Sequence, residues 1–110
     1  MKIPAIPFTV TDWSAIPSTE HPGDSGTAFW RTLTIADLRI RMVEYTSGYL
    51  ANHWCDRGHL LFVLEGTLDT ELRDGRTFKL TAGMSYQVSD FSDAAHRSST
   101  ATGVKLLIVD

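Results

Sequence analysis

The chain has 110 residues, 43% hydrophobic and 21% charged, enough for one compact core and too few for two domains. Its formal net charge is −3 and its basic residues are scattered singly, so it lacks the clustered cationic face that neutralises phosphates, and neither nucleic acid nor an anionic membrane is expected as a partner. The longest apolar run, LLFVL at 60–64, is far below the about 20 residues that a membrane-spanning helix needs.

Residues 1–26 carry all four prolines and HPGDSG at 21–26, with no sustained periodicity, and are expected to form an irregular arm laid over the domain. Prolines also interrupt the start, MKIPAIPF, which therefore lacks the apolar core of a signal peptide. Together with a single cysteine, Cys55, which has no internal disulfide partner, this predicts a cytoplasmic protein. The core is expected over 27–110.

FWRTLTI at 29–35 reads as a strand. Leu38, Ile40 and Met42 then alternate with Asp37, Arg39 and Arg41, which predicts a strand with its apolar side buried and its arginines in water. Leu68, Thr70 and Leu72 alternate in the same way with Asp69, Glu71 and Arg73. RDGR at 73–76 supplies an Asp-Gly pair for a tight hairpin turn, expected to place both central residues at positive φ. Phe78 and Leu80 resume the pattern on the returning strand, and KLLIVD at 105–110 closes the chain with Leu106 and Ile108 on one face. No run with helical spacing is long enough to make a helix. The fold class is all-β, an antiparallel sandwich or small barrel. Such a barrel has edges to cover, so a homodimer is expected.

NHWCDRGH at 52–59 gathers two of the four histidines and the only cysteine. On a helix, at about 100° per residue, His53, Cys55 and His59 would not converge. On a strand, His53 and Cys55 share a face, and DRG at 56–58 is a turn that can return His59 beside them. Three such donors form three corners of a metal site, and His96 in DAAHRSST is the natural fourth. Alone, each histidine has an ordinary structural explanation and Cys55 that of a small buried hydrophobe; the joint spacing favours metal. His21, in the Pro-Gly arm, reads as an exposed loop histidine. One Cys excludes a zinc ribbon or finger.

These motifs resemble those of the cupins. Gly48 precedes His53 by four intervening residues, Cys55 stands where the family's second His falls, His59 stands where its Glu falls, and Gly66 follows after six residues. The second motif resembles Gly83 leading through MSYQVSDFSDAA to His96, with Thr100 at the usual Asn position. Within cupins the chain is most similar to the small single-domain group with an Asp-His-Cys-Trp signature (the DHCW-motif group), through GHLLFVLEG, ELRDGR, GMSYQVSD and HRSST. It departs in having Asn52 where Asp is expected, and Ala82 and Ala95 where prolines are common.

The resemblance implies a jelly-roll β-barrel with one divalent transition metal ion inside it, on His53, Cys55, His59 and His96. Three imidazoles and a thiolate are softer than three imidazoles and a carboxylate, which favours Zn, Ni, Cu or Fe over Mn. Four tight ligands make a closed structural or sensing site; three histidines with a free thiol leave an open face for a substrate. Tyr45, Tyr86 and Ser98 are candidate pocket residues, and Asp90 and Asp93 candidate acceptors for His96. Two functions follow: a metal-dependent enzyme acting on a small polar molecule, of dioxygenase or isomerase type, or a non-catalytic ligand-binding or metal-sensing module.

Overall fold

A computed structural model describes residues 5–110. Its strands are β1 (Thr19–Pro22), β2 (Thr27–Ile35), β3 (Leu38–Tyr45), β4 (His59–Leu72), β5 (Thr77–Thr81), β6 (Ser85–Val88), β7 (His96–Ser99) and β8 (Val104–Val109). Every pairing among them is antiparallel. One side of the barrel follows the order β1, β2, β3, β8, the first half of β4, and β6; the other joins β5 and β7 to the second half of β4. Among the described residues the only helical element is a single 3₁₀ turn, Trp13–Ala15, capped by the Asp12 side chain.

β4 is the element that makes the barrel. Straight, its 14 residues would extend roughly 46 Å, longer than the 41 Å of the molecule's longest dimension. It bends instead. The register with β8 shifts between Val63 and Glu65, and Gly66 follows at φ 85°, a left-handed conformation natural to glycine. A Cβ there would stand 2.3 Å from the Gly103 carbonyl oxygen. The bend lets one strand serve both sides, so that His59 opens it and Leu72, at its far end, pairs with His96.

Inward side chains of both sides close a core around Val43, Leu61, Val63, Leu68 and Leu106. Leu106 and Ile108 share the buried face of β8 as expected. β3 is turned the other way from the expectation. Arg41, Val43 and Tyr45 are buried, opposite Ile108, Leu106 and Val104, whereas Leu38, Ile40 and Met42 lie half-buried on the outer face with Leu107 and Val109. Both faces of β3 are covered in part, so alternation fixed the pairing of faces and not which one points in. The 73–76 hairpin also differs: only Gly75, at φ 99°, is left-handed, and its N–H donates to the Leu72 carbonyl at 2.9 Å. A turn followed by one left-handed glycine needs no positive φ at Asp74.

The arm crosses the outside of the barrel, held where the Arg31 guanidinium donates to the carbonyls of Trp13 and Ile16. It is more regular than expected, because Thr19–Pro22 pair with β2 as an edge strand. His21 is consequently not a loop residue; it is half-buried and stacked on Trp30 at 3.6 Å.

Candidate functional site

Inside the barrel, β2, β3, β4, β6, β7, β8 and the segment after β3 line a cavity of about 310 Å³. His53, Cys55, His59 and His96 line it, and so do Tyr45, Tyr86 and Ser98. A larger groove of about 530 Å³ lies under the arm, against Trp13, Phe29, Arg31 and Met42, and has no histidine, cysteine or tyrosine in its walls.

His59 and His96 stand side by side in the cavity wall, with ring centroids 4.8 Å apart and nearly perpendicular. Tyr86 is opposite Leu61, two residues along from His59, which brings its hydroxyl 2.8 Å from His59 Nε2. Burial, reinforced by the neighbouring His96 charge, lowers the His59 pKa to about 4, so His59 is neutral at physiological pH. Burial lowers that of His96 as well. His96 is only 5% exposed, and its Nε2 has no hydrogen-bond partner. A buried imidazole nitrogen without a partner is unusual in a finished core and typical of a place where something binds.

The other half of the expected set is arranged differently. His53 and Cys55 do not lie on a continuous strand; only Cys55 makes an isolated bridge, exchanging two 2.8 Å backbone bonds with His96. His53 is exposed, and its Nδ1 is 2.7 Å from the Asn52 side-chain oxygen. The segment 56–58 does not form the expected turn. Asp90 accepts from the Gly58 N–H, and the Phe91 N–H donates to the Asp56 carbonyl, so the 89–91 loop fixes the approach to His59. Asp90 and Asp93 are therefore engaged away from His96, Asp93 with Arg76 at 2.7 Å. Among the described residues, no three His, Cys, Asp or Glu side chains stand close enough to hold a metal ion as they are. The neutral pair of half-buried His59 and buried His96 fits such an ion in donor chemistry; His53 and Cys55 line the same cavity but do not converge on the pair.

Three further side chains belong to the site and were not marked by the sequence. Arg41 is 6% exposed, with its guanidinium 4.5 Å from the centre of the Trp30 ring. Asp110 takes Arg39 through both oxygens, at 3.0 and 2.8 Å, and Arg41 through one, at 3.2 Å. Desolvation lowers the Arg41 pKa from its ordinary value. Burial works to raise the Asp110 carboxyl, but the Arg39 bonds and both guanidinium charges outweigh it and hold it low. Burial also pushes up both the Tyr45 and Tyr86 phenols, which stay protonated as donors.

No family model matches the sequence, and no curated protein is similar to it in a sequence search. Solved structures are similar in fold. The polyketide cyclase RemF from Streptomyces resistomycificus superposes with a TM-score of 0.75 at 20% identity, covering 93% of this chain and 78% of that one. Ectoine synthase from P. lautus gives 0.72 at 19% identity, with 93% and 76% covered. A cupin-2 domain protein from Shewanella frigidimarina gives 0.60 at 21% identity, with 74% and 78% covered. The chain has the cupin fold, an all-β antiparallel barrel with a histidine-lined interior.

Proposed function

We propose that the protein is a metal-binding cupin that takes a small polar molecule into its barrel, with one divalent transition ion (Zn, Ni, Fe or Cu) on His59 and His96 and further donors from His53 and Cys55. The carrying observation is the His96 Nε2, buried without a partner beside a second imidazole kept neutral by burial. Neutral imidazoles are the protonation state that metal binding requires. A bound ion would supply Lewis acidity to a ligand in the cavity. Around it, Tyr86 holds the His59 ring, and Tyr45 and Ser98 offer hydroxyls to a polar ligand. The motif resemblance to the Asp-His-Cys-Trp group supports the same donor set. Two similar folds are named as a synthase and a cyclase, which shows that this architecture hosts enzymes without assigning a reaction here.

A second reading, a metal-free ligand-binding module, is favoured by the bonds that His59 Nε2 and His53 Nδ1 already make. Elemental analysis of protein purified without a histidine tag separates the two. We expect close to one transition ion per chain, lost in His59→Ala and His96→Ala and kept in His21→Ala. Cys55→Ser should keep metal with selectivity moved towards harder ions. Equal metal content in the parent and the His59 and His96 variants overturns the metal reading.

We also propose a homodimer, on firmer ground than sheet edges. The outer face of the barrel carries Ile40 against Val109 and Phe62 against Leu107, and Leu60 beside them is 44% exposed. A second copy of this face covers such a surface with like side chains.

A further inference from the structure

The cavity holds a buried cation that the metal reading does not use. Arg41 enters from β3, is nine-tenths buried, and lines the same space as His59 and His96. Its nearest carboxylate is already taken: Arg39 engages both oxygens of Asp110 in a fork, leaving Arg41 one longer contact, 3.2 Å, to the oxygen they share. The Arg41 Nε is buried with no hydrogen-bond partner. The Trp30 ring, itself stacked on His21, lies 4.5 Å from the guanidinium and holds it in place. A guanidinium removed from water with an unfilled donor is costly unless an acceptor arrives, and the acceptors that match its planar donors are carboxylates and phosphates, of which only an organic carboxylate also brings an apolar body.

We propose that Arg41 anchors an anion subsite beside the histidine pair, and that the ligand it takes is a small monocarboxylic acid. Charge and shape select this class. Arg39 occupies both carboxylate oxygens of Asp110, so the buried Arg41 guanidinium lacks a carboxylate of its own, which a small carboxylate ligand supplies. Trp30, Tyr45 and Ile108 line the same cavity and give an apolar wall for the body of the acid. Arg57, exposed and without an ion pair among the described residues, lines the cavity too and adds attraction for an incoming anion. The inference rests on the cavity being a ligand site and does not require the metal.

The test is titration of the ¹⁵N-labelled full chain with propionate, propionamide and inorganic phosphate, followed at the arginine Nε–H resonances, with metal content measured on the same samples. The Arg41 resonance, assigned by through-bond correlation, should shift saturably with propionate. Propionamide should leave it in place, and phosphate should bind at least about tenfold more weakly. Arg41→Lys keeps a cation for Asp110 but loses the planar donors, and should weaken propionate at least about tenfold. If that variant does not fold, the parent's own Arg41 shift decides. Parent protein stripped of metal by a chelator should bind propionate as before, which separates this inference from the metal reading. No propionate shift at Arg41, an equal response to propionamide, phosphate binding as tightly as propionate, or loss of propionate binding on removing metal alone would each overturn it.

Discussion

Replacing Gly66 with alanine tests whether the bend in β4 is what brings the two histidines together. Two separable penalties follow from the geometry. The residue sits at φ 85°, where an L side chain costs about 1–2 kcal/mol. In addition, the new Cβ would stand 2.3 Å from the Gly103 carbonyl oxygen and 3.0 Å from the Val104 Cα, both backbone atoms of the adjoining segment, which cannot rotate away. Relief requires β8 and β4 to part by close to 1 Å, and forced overpacking of this kind costs about 1–3 kcal/mol. The sum is about 2–5 kcal/mol. Gly75 provides the control, because it is also left-handed, at φ 99°, yet has nothing within 4 Å of an added Cβ. Thermal unfolding at matched protein concentration should therefore lower Tm by roughly 4–8 °C in Gly75→Ala and by roughly 8–20 °C in Gly66→Ala, taking about 4 °C per kcal/mol for a chain of this size. The larger loss should come with weaker metal retention, since the bend joins the His59 end of β4 to the end that pairs with His96. Equal Tm losses in the two variants would refute the steric part of the reasoning.

Two further outcomes are expected. For the metal-free protein, His59 has a folded pKa of about 4 against an ordinary 6.5, so the unfolded chain takes up the proton first, and stability present above pH 6.5 is lost as pH falls towards 4. The loss should be about 2 kcal/mol after allowing for partial exposure, and chemical denaturation of His59→Gln should show a flatter pH profile over that window; an unchanged profile would exclude His59 as the titrating group. For assembly, sedimentation at micromolar concentration should give a dimer for the parent and a monomer for Leu60→Lys, and a monomeric parent would remove the outer sheet face as an interface.

Local chemistry was enough to determine β2, β3, the second half of β4, β5 and β8, whereas β1 lies inside the segment that read as an irregular arm. Leu68 and Thr70 face the core as their alternation requires, and Leu106 and Ile108 do the same on β8, because side chains on a strand alternate whatever the surroundings. Part of the cavity lining was also legible: His53, Cys55 and His59 stand in a dense and chemically unusual stretch, and they line one space with His96, Tyr45, Tyr86 and Ser98. Orientation was not legible. Period-two alternation is unchanged when a strand is turned over, so Arg41 read as solvated although it is buried against Trp30 and Asp110, 69 residues away in sequence. Nor does spacing along a chain report distances across a barrel. His59 and His96 become neighbours through the bend at Gly66, while His53 and Cys55 keep their bonds to Asn52 and to the His96 backbone. The histidines and the cysteine were written in the sequence; which of them meet, and that a buried guanidinium stands beside them, was decided by the closure of the two sides of the barrel around β4.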